Sequence, residues 1–173
     1  GWLLPGASIT VNSWPASVWQ IDAAFPPFLT PRRVTSRERD LGDSIMTGIV
    51  LAPFADAPVK FTELGRLRVQ ECERVAALRT ELVKCGARVT ETGDTLEIFP
   101  SALHGAEIET YHDHRMAMCF AILGLKVPGI KIKDPACVKK TFPNFFQKLA
   151  AAPPRGLSAV ILDAAARPLA GNE

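Results

Sequence analysis

The 173-residue chain is short of several features that would assign a function at sight. Its four cysteines, Cys72, Cys85, Cys119 and Cys137, form no C-x-x-C pair. That removes the common zinc and redox spacings and leaves reduced thiols as the expectation. Charge of one sign is scarce as well, with a net charge of only +2, so bulk electrostatics make no case for a nucleic-acid partner. Apolar runs break too early for a membrane span, and no signal-peptide pattern opens the chain. A cytoplasmic protein with no membrane partner is expected. The three methionines, Met46, Met116 and Met118, are all internal and residue 1 is glycine, so the chain is expected to be a fragment or a processed product.

What is present is ordinary for a globular protein: 47% hydrophobic and 22% charged residues, enough for one substantial domain or two small ones. Residues 1–24 read as strands, "ASITV" and "SVWQIDA", with Trp2, Trp14 and Trp19 expected in core or interface packing. The stretch "FPPFLTPRRVTSRERD" reads as a proline-rich connector. Its Arg32, Arg33, Arg37 and Arg39 are expected on a solvated loop, and a nucleic-acid reading would rest on them alone.

From Gly42 the pattern is regular. "GDSIMTGIVLAPF" predicts a buried helix with Asp43 as N-cap, and "VKFTEL" a short strand. "QECERVAALRTELVKCG" predicts an amphipathic helix, with Val75, Leu78, Leu82 and Cys85 on one face and Gly86 as its stop. "ARVTETGDTLEIFP" predicts a hairpin around Gly93-Asp94. The order then restarts. "DHRMAMCFAILGL" predicts a buried helix, "GIKIKD" a strand and "TFPNFFQKLA" another helix. Asp43 and Asp113 stand 70 positions apart, as do Gln70 and Lys140. The expected class is α+β, built from repeated β-α-β-α-β-β units with buried parallel helices. Residues 1–150 are expected to form one lobe, with units at about 40–100 and 107–150. Residues 151–173 are expected to form a loose tail, with "LSAVILD" as a possible strand.

A helix apolar all round must be buried all round, so its polar business lies at its ends. The N-terminus carries unpaired N–H groups and partial positive charge, which suits an anion. In "DHRMAM", Asp113 caps while His114 and Arg115 stand at that positive end, a placement that makes sense only if an anion pairs with them. Asp43, Gln70, Glu71, Arg74, Asp113, His114, Arg115 and Lys140 are the groups that a repeat would bring to one side. They combine carboxylates for proton transfer with cations for anion binding. Each has a plainer alternative: a cap for Asp43 or Asp113, a surface i,i+3 pair for Glu71 and Arg74, a solvated Lys140. His112 and His114 form an H-x-H pair, but no further ligands accompany them and no metal is expected.

Three strings, "LRVQECERVAALRTEL" (67–82), "DHRMAM" (113–118) and "KTFPNFF" (140–146), resemble the C-terminal part of the 5-enolpyruvylshikimate-3-phosphate synthase family. "GDSIMT" (42–47) resembles its catalytic-aspartate helix. The similarity runs from about residue 40 to 150. It implies one lobe of a two-lobed enolpyruvyl transferase fold. The implied reaction is transfer from phosphoenolpyruvate to the 5-hydroxyl of shikimate 3-phosphate in chorismate biosynthesis, without a cofactor. By resemblance, Asp43 and Glu71 are catalytic. Arg74, Arg115, Lys140 and His114 bind phosphoenolpyruvate, and Asp43, Gln70 and Arg66 face shikimate 3-phosphate. Two positions depart from the pattern: most members have lysine where this chain has Gln70, and many have asparagine where it has Arg66. Altered shikimate-phosphate binding is expected from the first. Because the missing N-terminal lobe supplies further ligand contacts, the chain is expected to need it as a partner and to turn over little alone. The competing readings are a non-catalytic lobe and enolpyruvyl transfer to UDP-N-acetylglucosamine, which uses the same fold.

Overall fold

A computed structural model describes Trp19 and residues 21–28 and 32–170. Trp2, Trp14 and the strand expected over "ASITV" lie outside the described residues. Trp19 is exposed and Ile21–Ala24 is a 3-10 turn rather than a strand.

The first unit runs β1 (Val34–Ser36), α1 (Ile45–Leu51), β2 (Val59–Thr62), α2 (Arg74–Lys84), β3 (Arg88–Thr92) and β4 (Thr95–Phe99). Its sheet has the order β1-β2-β4-β3, with β1 and β2 parallel and the other pairs antiparallel. Alternation does its ordinary work here: Val59 and Phe61 on β2 and Leu96 and Ile98 on β4 point into the core. Val75, Leu78, Leu82 and Cys85 bury one face of α2, as the 3.6-residue period requires.

The second unit repeats the opening of the first: β5 (Glu107–Ile108), α3 (His114–Gly124), β6 (Lys131–Ile132) and α4 (Phe145–Ala150). β5 and β6 pair in parallel, as β1 and β2 do. No second hairpin closes this unit among the described residues. The stretch "LSAVILD" is not a regular strand and carries only an isolated bridge, Leu162 to Pro168. Even so, Leu157, Ala159 and Ile161 pack on a small core formed by Ala117, Val138, Phe145 and Leu149.

β1 lies inside the stretch expected to be a connector. It is continued by one wide helical turn, Arg37–Leu41, capped by the Ser36 hydroxyl, which accepts from the Arg39 N–H at 3.0 Å. Gly42, at φ +53°, ends that turn and starts the 3-10 turn Gly42–Ser44 that leads into α1. α1, α2 and α3 pack on one another and share a single apolar core with the sheet, including Ile45, Ile49, Leu78, Leu82, Met116 and Phe120. The starts of the three helices carry Asp43, Arg74 and Asp113, and these meet at one end of that core.

Candidate active site

Arg74 is the hub. Its side chain is 1% exposed, so the plainer alternative, a surface pair with Glu71, does not describe it. Nε donates to Asp113 Oδ2 at 2.6 Å and Nη2 reaches Asp113 Oδ1 at 3.3 Å. Nη2 also donates to Glu71 Oε2 at 2.5 Å, and Nη1 to Asp43 Oδ2 at 3.3 Å. One guanidinium therefore ties the beginning of α1, the loop before α2 and the cap of α3. Burial alone would favour loss of its proton, but Asp113, Glu71 and Asp43 outweigh that and raise its pKa. Asp113 is wholly buried, so losing Arg74 would strand a charge, a change that typically costs about 3–5 kcal/mol.

Asp113 is the N-cap of α3 as expected, accepting from the Arg115 N–H at 2.8 Å. Asp43 is not a cap. Ser44 holds the N-cap position of α1 without a side-chain bond, and the Asp43 carboxylate turns to cations instead. Arg37 donates to its Oδ1 at 2.8 Å through Nη2 and 3.2 Å through Nε. The Gln70 amide donates to Oδ2 at 3.2 Å, and Arg115 Nε stands 3.7 Å from it. Burial pushes the Asp43 carboxyl up, and Arg37 and Arg115 more than reverse this, holding it below the ordinary value.

Glu71 lies beside two cations, Lys140 and Arg74, and the His114 imidazole. Lys140 Nζ donates to Oε1 at 3.0 Å, and His114 Nδ1 is 3.6 Å from the same oxygen. The Lys140 bond, with Arg74 behind it, brings the Glu71 carboxyl down to about 2. Lys140 is half exposed yet engaged. His114 is buried with its Nδ1 lacking a hydrogen bond. Burial lowers its pKa, and Lys140 and Arg115 offset the pull of Asp113 and Glu71. The arrangement thus holds two ionised carboxylates, Asp43 and Glu71, each beside cations. That is what proton transfer next to a bound anion demands.

The sequence profile of EPSP synthase (3-phosphoshikimate 1-carboxyvinyltransferase) matches residues 26–149. This chain belongs to the EPSP synthase family. The 3-phosphoshikimate 1-carboxyvinyltransferase of Nostoc punctiforme is 50% identical over 109 residues, covering 63% of this chain and 26% of that protein. The Rhizobium etli protein of the same name is 42% identical over 142 residues, covering 79% and 33%. The solved EPSP synthase of Acinetobacter baumannii superimposes with a TM-score of 0.57 at 31% identity, over 61% of this chain and 26% of the other. The enolpyruvyl transferase NikO of Streptomyces tendae shares the fold at a TM-score of 0.50 and 18% identity, over 64% and 25%. The chain thus spans about a quarter to a third of the length of these relatives. The mixed helix-and-sheet fold is that of one enolpyruvyl transferase lobe.

Of the residues singled out by the EPSP synthase resemblance, Asp43, Gln70, Glu71, Arg74, His114, Arg115 and Lys140 come together. Arg66 does not: it is exposed on the 3-10 turn Gly65–Val69 and forms no ion pair with a described residue. Its neighbour Arg68 is spent on structure, binding Asp94, Glu91, Glu73 and the Gly93 carbonyl. His112 and His114 diverge, the first pairing with Asp134 at 2.9 Å. Cys72 sits beside Asp113 at 3.6 Å, and burial with that carboxylate pushes its thiol up to about 12, so it stays protonated. Arg37, expected on a solvated loop, is instead only 16% exposed and is the strongest partner of Asp43, a role that sequence reading missed. Its only signal was a position six residues before Asp43, which means nothing until β1 and the following turn are recognised.

Proposed function

We propose that this chain supplies one wall of an active site for enolpyruvyl transfer from phosphoenolpyruvate to the 5-hydroxyl of shikimate 3-phosphate. The observation that supports it is the joining of Asp43, Glu71 and Asp113 through Arg74, with Arg115 and Lys140 beside them. In this reading Asp43 takes the proton of the 5-hydroxyl as that oxygen bonds to C2 of phosphoenolpyruvate. The double bond opens and C3 takes up a proton. Then C3 gives up a proton, the C2–O(phosphate) bond breaks, and phosphate leaves to form the enol ether.

Glu71, at about 2, is ionised at neutral pH. It is ready as the base that removes the C3 proton. To act as the acid in the first half it must yield Lys140 and Arg74 to the ligand's phosphate or carboxylate, which raises its proton affinity. Arg115, at the start of α3, faces both Asp43 and the anion. Gln70 orients Asp43 with a neutral amide.

The experiment is phosphate release from phosphoenolpyruvate by the full-length protein that contains this chain, with and without shikimate 3-phosphate. Release that needs shikimate 3-phosphate and falls by at least about 100-fold in Asp43→Asn is expected for loss of a general base. A folded protein that binds both ligands without releasing phosphate is a non-catalytic relative. Release that depends on UDP-N-acetylglucosamine instead overturns the choice of acceptor.

A further inference from the structure

One buried charge has no part in that reaction. Glu81 sits about two turns along α2 from Arg74, on the same helix face, and its side chain is completely buried. Besides Lys84, its partners all come from one short segment. Tyr111 Oη donates to Oε1 at 2.8 Å, and the Glu109 N–H donates to Oε2 at 3.1 Å. Lys84 closes the remaining valences at 2.8 and 2.9 Å.

That segment runs directly into the site. Tyr111 and His112 are consecutive non-glycine residues in the left-handed region, at φ 54° and 56°. L-residues rarely adopt that conformation unless the surroundings impose it. The next three residues are Asp113, His114 and Arg115. α2 therefore grips the approach to α3 at two points: Arg74 holds Asp113, and Glu81 holds Tyr111 and Glu109. The outer side of the turn is held independently, by His112 on Asp134.

We infer that Glu81 is a positioning residue for the anion site. Through the Tyr111 hydroxyl and the Glu109 amide it fixes the left-handed turn that presents His114 and Arg115. The bond persists across neutral pH, because burial and the Glu81 carboxylate push the Tyr111 hydroxyl up to about 12. Any buried carboxylate must collect donors; here the tyrosine hydroxyl and the backbone amide both come from the segment that carries the left-handed turn. The consequence for ligand binding rests on the function proposed above, whereas the consequence for the turn does not.

The mildest test is Tyr111→Phe in the full-length protein that contains this chain, which removes one oxygen and keeps the ring. Two readouts are taken: hydrogen exchange at the Asp113 and Arg115 amides against that of the β3–β4 hairpin, and phosphoenolpyruvate affinity by phosphorus NMR titration. Exchange at Asp113 and Arg115 should quicken about tenfold, the weight of one hydrogen bond to a charged acceptor, with the hairpin unchanged. The dissociation constant for phosphoenolpyruvate should rise about tenfold. Glu81→Gln, which keeps an acceptor for Tyr111, should give a smaller change in both readouts. Unchanged exchange at Asp113 and Arg115, or equal acceleration in the hairpin, overturns the inference, the latter because a merely structural role loosens the whole chain. If the full-length wild-type protein gives no phosphoenolpyruvate signal, the functional reading falls, and exchange at the turn still decides whether Glu81 fixes it.

Discussion

Glu71, Asp43 and His114 share one direction of pKa shift, and it sets how the chain should respond to acid. Glu71 is lowered from 4.5 to about 2 by Lys140, burial opposing and Arg74 assisting. Asp43 is also lowered, from 3.8, against the effect of burial. His114 is lowered from 6.5, because burial disfavours the imidazolium. In each case the unfolded chain binds the proton more readily, so stability rises with pH across the interval between folded and unfolded values. The contributions are fully present above the unfolded values and are lost as pH falls. His114 should act first, below about pH 6.5, and the carboxylates below about pH 4.5. Melting temperature by circular dichroism should therefore decline in two stages from about pH 8 to about pH 3. His114→Gln should remove the first stage and leave the second. A variant that still shows the first decline would reassign it to other groups. At this scale the sequence displayed residue types well and partners poorly. Asp113 as a cap was legible because Asp before a helical run has a local meaning. Asp43 looked identical, yet its carboxylate turns to Arg37, Gln70, Arg74 and Arg115, none of them predictable from spacing alone.

α2 shows which elements sequence reading reaches. Its C-terminus is a full Schellman arrangement: the Ala87 N–H bonds to the Leu82 carbonyl at 3.0 Å and the Gly86 N–H to Val83 at 2.9 Å. Gly86 has φ +90°, and a Cβ there would lie 3.1 Å from the His104 ring. Gly86→Ala should cost about 1–2 kcal/mol, the usual penalty for an L-residue in this region. Urea unfolding reads it directly, and an unchanged midpoint would remove the glycine's assigned role. The stop was legible because glycine carries the whole signal. The start was not: the helix was expected from Gln70 but begins at Arg74, capped by Glu73 accepting from the Ala76 N–H at 2.7 Å. The hairpin was legible too, since five-residue strands alternate around Gly93-Asp94. β6 was legible in "GIKIKD", whereas β1 and β5 have three and two residues and owe their place to parallel partners far along the chain. No periodicity can be read from so few positions.

The molecule as a whole repeats one supersecondary pattern, and the 70-residue offset between Asp43 and Asp113 was enough to suggest it. Physically, the repeat brings helix starts together; chemically, it leaves the site almost self-neutralised. Arg37, Arg74, Arg115 and Lys140 face Asp43, Glu71 and Asp113, and each of these cations is already engaged by at least one of these carboxylates. Such a wall has little positive charge to spare for two multiply charged ligands. In the proposed reaction, cations from beyond this chain must supply the rest, in keeping with its coverage of about a quarter to a third of its relatives. The 173-residue chain alone should therefore bind phosphoenolpyruvate weakly, and less tightly still as salt rises, because the site is partly open to solvent. It should release no phosphate with shikimate 3-phosphate present. Adding the complementary lobe in trans should restore release, and Arg115→Ala in this chain should abolish the rescue. Phosphate release by the chain alone at a rate comparable to the two-part mixture would show that its own cations suffice.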